Sequence, residues 1–174
     1  MSQWAKDRAN AVAKSEAVSR DRPERLARFW SDFCSTLNAR AGEFNRAAEG
    51  KSDAKLSIHS SSQSWGGNEV IEATFPFKRG DGQRVFAVAE IIGGGHFIMV
   101  VWKTRLTRDT SEHGHSTALF DLSAVGDVVV REQHSSSLSG SSLPLITKGE
   151  NDVSAERFAE LLLEHLLSYS EHFR

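Results

Sequence analysis

The sequence predicts an α+β domain: two N-terminal helices, a six- to seven-stranded and mainly antiparallel sheet, and a C-terminal amphipathic helix packed on it. Three observations carry this. Residues 70–103 read as three apolar runs separated by RGDG and GGG, and glycine turns between apolar runs are the strongest short-range hairpin signal. Residues 23–49 place Leu26, Phe29, Trp30, Phe33, Leu37, Ala41 and Phe44 at helical spacing. Residues 154–173 do the same with Phe158, Leu161, Leu162, Leu166, Tyr169 and Phe173, widened by Leu163 and Leu167.

Composition sets the frame for these elements. A chain of 174 residues favours one domain, here 1–174, with residues 1–21 a weakly attached helix and residues 134–150 a Ser-rich mobile loop. The net charge of −2 gives no overall basic footprint, which disfavours nucleic acid and a polybasic membrane contact. Cys34 is the single cysteine, so an intramolecular disulfide is excluded and a reducing, cytoplasmic setting is expected. The polar start MSQWAKDRAN has no apolar signal region, and the longest apolar run, Phe97–Trp102, is too short to span a bilayer. A soluble protein is the expectation.

Taken in order, residues 3–20 are Ala-rich and charged and favour helix, with Trp4, Ala9, Val12 and Ala13 as a weak stripe. Asp21-Arg22-Pro23 reads as a break, with Pro23 in the first turn of a second helix that Gly50 ends. Residues 54–59 alternate as a first strand, and residues 60–68 (SSSQSWGGN) form a flexible loop carrying Trp65. In the meander, an Asp81-Gly82 loop would set Phe77 opposite Phe86 and Phe75 opposite Val88. Pro76 cannot donate to a ladder, so its strand belongs at an edge or a bulge. Residues 85–92 and 97–102 are apolar on both faces and need cover on both. Residues 104–116 read as a polar loop or long hairpin, residues 117–122 and 128–131 as two further strands, and residues 143–146 as a short edge. Ser154 suits the N-cap of the last helix, with Val153 positioned to staple Phe158. Six or seven strands followed by a helix is similar, in strand count alone, to the pleckstrin-homology type of partial barrel, so a strongly curved sheet is a possible form.

Candidate chemistry is sparse. His113, His115 and His134 are the one histidine cluster that could share a metal, but no cysteine or further ligand stands at metal spacing. Glu90 interrupts an apolar strand close to His96 across the GGG turn, an arrangement that suits an acid or base. GGG lacks the phosphate-loop pattern and reads as a turn. Trp65 and Trp102 are candidate contact residues, with Glu90 and His96. Arg20, Arg22, Arg25 and Arg28 gather at the helix break and could meet phosphates of nucleic acid or lipid headgroups, diluted by Asp21, Glu24 and Asp32. No catalytic set converges and no cofactor is implied. The leading expectation is a non-enzymatic protein-interaction or assembly module acting through an apolar sheet and helix surface. It would bind a partner protein or itself, with a homodimer favoured. The alternatives are a small-molecule-binding or metal-assisted enzyme domain using the histidines or Glu90, and a phosphate-contacting binder using the arginines.

Overall fold

The computed structural model describes residues 2–65, 68–94, 97–106, 112–123, 128–137 and 146–171. The chain runs α1 (Gln3–Ala48), β1 (Ser57–Trp65), β2 (Asn68–Lys78), β3 (Arg84–Gly94), β4 (Phe97–Arg105), β5 (Glu112–Ser123), β6 (Val129–Ser137) and α2 (Ala155–Glu171). The strands form one antiparallel sheet in chain order, each beside its sequence neighbour. Among the described residues β1 and β6 do not pair, so the sheet is an open meander and not a barrel.

The two expected N-terminal helices are joined into one, which runs through Pro23. A proline removes one helical donor and crowds the carbonyl four residues earlier, here that of Ser19. Ser19 and Pro23 are both exposed, so water can satisfy that carbonyl and the helix continues. Beyond Pro23 the helix docks. Phe29, Phe33, Leu37 and Ala41 are buried in the core, with Leu26, Trp30, Cys34 and Phe44 packed at its margin. Near the helix end, the Asn45 side chain donates to the Leu56 carbonyl and accepts from the Leu56 amide, both at 2.8 Å. A helix side chain thus holds the backbone just before β1 as a neighbouring strand would.

Both helices cover the same face of the sheet. Ile71, Ala73, Phe75 and Phe77 of β2 share it with Val85, Ala87, Ala89 and Ile91 of β3, and Ile98, Val100, Trp102, Phe120, Leu122 and Val130 extend it. Phe158 of α2 sits between Phe33 (5.5 Å between ring centres) and Phe120 (4.8 Å) and joins all three layers. Trp102 packs on His165 at 4.6 Å and on Tyr169 at 6.2 Å. The N-cap expected at Ser154 is present, its Oγ accepting from the Arg157 amide, and Val153 and Phe158 are both buried.

The β2–β3 hairpin differs from the expected register by one residue. Phe77 pairs with Val85 and Phe75 with Ala87, not with Phe86 and Val88. The loop has three residues between Arg79 and Gln83. Arg79 N donates to the Gln83 carbonyl, Gly82 N donates to the Arg79 carbonyl, and Gly82 takes φ +82°. A third loop residue in the left-handed region matches the strand twist as well as a two-residue turn does, so the glycines alone did not fix the loop length. Pro76 lies inside β2, an interior strand, yet β1 begins opposite Thr74. Its missing donor therefore falls where β1 has not begun, which is a local edge.

Gly93 and Gly94 belong to β3, paired with Ile98 and Phe97, so two of the three glycines expected as a turn are strand residues. A Cβ on Gly93 would stand 1.9 Å from the Trp30 ring, so glycine is what lets the indole pack directly against the strand. Residues 60–65, expected as loop, continue β1. β5 starts at Glu112 and β6 runs to Ser137, so the expected polar loop and the expected Ser-rich loop both give residues to strands. The expected edge at 143–146 lies outside the described residues except Ile146, which is in a turn. The segment before α2 covers the free side of β6. Val130 and Val153 exchange backbone hydrogen bonds, Thr147 N donates to Glu132, and Arg131 pairs with Asp152.

Candidate interaction surfaces

Because both helices lie on one face, the opposite face of the sheet has no described helix over it. Alternation assigns Val70, Glu72, Thr74 and Pro76 of β2, Phe86, Val88, Glu90 and Ile92 of β3, and Met99, Val101, Lys103 and Arg105 of β4 to this side. Three zones run along it. At one end Val70, Ile92, Met99 and Leu119 line up across four strands; Val70 and Ile92 are buried, Met99 is half-buried, and Leu119 is 39% exposed. In the middle two carboxylates, Glu72 and Glu90, face each other directly across β2 and β3. Like charges at that spacing destabilise a sheet unless cations intervene. They do here: Lys103 reaches Glu90 at 2.6 Å, and Arg105 grips Glu72 through two bonds of 2.9 and 3.3 Å. These four side chains are 12–23% exposed, so the pairs are part-desolvated and fixed. At the other end, cations gather around Pro76 and Phe86: Lys78 pairs with Arg84 across the ladder, and Arg105 is next to Phe86.

The second surface is the N-terminal half of α1. Almost every residue from Gln3 to Glu24 is exposed, with Trp4 at 74% and Val12 at 50%. At 1.5 Å per residue this arm extends roughly 33 Å from the docked half. Its apolar groups are few because the sequence supplies only Trp4, Val12, Val18 and scattered alanines, which is why it does not fold back onto the core.

The candidate residues from the sequence fall in separate places. Glu90 is on the uncovered face, ion-paired with Lys103. His96 lies outside the described residues, so the pairing expected across the turn is not described. Trp102 is fully buried in the core and presents no surface. Trp65 is in β1 opposite Asn68, and its side chain lies outside the description. The backbone of His113 pairs with Thr104 and that of His134 with Leu119. The ladder thus sets His134 opposite a position four residues beyond His115, roughly 13 Å along β5. The side chains of His113, His115 and His134 are not described. Arg20, Arg22, Arg25 and Arg28 lie on one continuous helix, not at a break. Arg25 and Arg28 line a shallow cleft with Asp32 and Glu156 beside the start of α2, so acids share it. Burial, and secondarily Glu69, pushes the Cys34 thiol above its ordinary pKa, which leaves it a weak nucleophile.

The clustering of Lys78 and Arg84 was missed in the sequence. The signal was KRGDGQR, read only as a turn, although a closed hairpin must bring its flanking cations together. Among the described residues no group of three metal-ligating side chains occurs, and no helix is long and apolar enough to cross a membrane. No family model, curated protein or solved structure matches the chain.

Proposed function

We propose that the protein is a non-enzymatic interaction module that assembles through the α1 arm and the uncovered sheet face, and that the first partner of the arm is a second copy of the chain. The arm carries this reading. Most helical stability in proteins comes from packing an apolar face, and this arm packs none of its own on the core. Pro23 weakens the arm's link to the docked half by removing a hydrogen bond at the junction. Pairing two arms would give each a packed face, covering Trp4 and Val12. A two-fold pair is the commonest way to bury one such surface against itself. The sheet face without a described helix adds a small contact, Leu119 beside the half-buried Met99, since Val70, Val88 and Ile92 on that face are buried.

Light scattering of the full chain at about 10–100 μM, a range that reveals micromolar association, is the test. The expected result is a dimer that becomes monomeric when residues 1–24 are deleted, with the thermal midpoint of the remaining domain retained. A full chain that stays monomeric across that range overturns the self-pairing.

A further inference from the structure

We infer that the cationic corner of the uncovered face, at the loop end of the β2–β3 hairpin, is a recognition site for the carboxylates of an acidic protein segment. The inference rests on reading that face as an interaction surface. Lys55, Arg84 and Arg105 line a cavity of about 200 Å³ floored by Pro76, Phe86 and Val88. It adjoins a second of about 460 Å³ that shares Arg84 and adds Lys78. Arg105 already holds Glu72. Lys55, Lys78, Arg79 and Arg84 make no ion pair among the described residues. Lys78 and Arg84 are direct cross-strand partners, and like charges so placed cost stability. Two carboxylates are near: Asp53 lines both cavities, and Asp81 is engaged by the Gln83 amide within the turn. The corner is therefore net positive on a chain whose total is −2.

Size and shape select the ligand class. The cavity of about 200 Å³ takes one side chain, and the adjoining one of about 460 Å³ continues it along the strand edge, a shape that suits neighbouring side chains of one extended segment. The hydroxyls of Ser57 and Thr74 on its wall can donate to a carboxylate whose methylenes rest beside the half-buried Phe86. Arg84 lies over the Phe86 ring, 5.9 Å from its centre. That ring does not offer the bare platform on which single-stranded nucleic acid stacks its bases.

Fluorescence anisotropy on the full chain tests this with a labelled peptide of alternating Glu and Ala, beside a labelled oligothymidine of equal charge. Arg84→Glu and Lys55→Glu are the variants, with Arg84→Gln as a companion that keeps a stem over Phe86. The expected result is peptide binding that weakens with salt and weakens by about tenfold or more in each charge reversal, with no thermal midpoint lowered. Peptide binding equal in all variants, no peptide binding at low salt, or tighter binding of the oligothymidine overturns it. Light scattering of the same samples reports arm pairing separately, so failure of the corner and failure of the assembly reading give different results.

Discussion

Tyr169 is the single tyrosine of the chain, packed beside Trp102, and burial pushes its phenol above the ordinary value, partly offset by the nearby Ser116 hydroxyl. The fold favours the neutral phenol. Its contribution is therefore whole below the unfolded pKa of about 10 and is lost as pH rises through the folded value. Because no other tyrosine competes, phenolate absorbance of the native protein reports this residue alone. Its midpoint is expected above about 10, moving down to the ordinary value in denaturant. A native midpoint equal to the denatured one would mean that Tyr169 is solvated. Individual residues were only partly legible in the sequence. Trp102 and Glu90 both stand in the apolar strands, but alternation could not say which face α2 would cover. One became core and the other half of an ion pair whose partner, Lys103, is brought in by the ladder. The role of Gly93 required Trp30, which is distant in the chain and unmarked by any motif.

At the scale of elements, α1 and α2 make opposite predictions. Leu162 is fully buried, so Leu162→Ala is expected to cost roughly 2–5 kcal/mol through lost transfer energy and a residual cavity. Deleting residues 1–24 removes about a third of the helical residues but almost no packing. In dilute solution it is expected to lower the far-ultraviolet helix signal while leaving the thermal midpoint in place. A large fall in that midpoint would show that the arm is packed. The strong elements were legible for physical reasons. Ser154, Val153 and the leucine stripe of α2 are local signals, and local signals survive folding. The continuity of α1 was not legible, because Pro23 looks like a boundary whenever the exposure of Ser19 is unknown. Likewise Ser-rich stretches gave residues to β1 and β6 because the ladder supplied bonds that propensity undervalued.

For the whole molecule, stability is concentrated where the layers meet. Amide exchange is expected to be slowest in β3 and β4, interior strands with fully buried Ala87, Ala89, Ile91, Ile98 and Val100. At concentrations too low for the arms to pair, the arm should exchange orders of magnitude faster. Equal protection in both would contradict an independent arm. The open meander itself was legible, since every neighbour pairing is a hairpin between consecutive strands. The zoned face was not, because its charges and apolar groups come from four strands and meet only in register.

The contact between the two helices has a consequence for how the chain is made. Each hairpin joins residues close in sequence, so the sheet can zip from local pieces with little loop-closure entropy. The helix pair is different: Arg40 bonds Glu160 across 120 positions. That closure must wait until α2, the last element described, has left the ribosome. Until then the sheet face that holds Phe75, Trp102 and Phe120 lacks α2, half of its cover. From the emergence of β3 until α2 follows, the nascent chain therefore carries an apolar sheet incompletely shielded, the kind of intermediate that chaperones bind and crowded translation turns into aggregates. Faster closure by α2, not a stronger sheet, is what would shorten that interval.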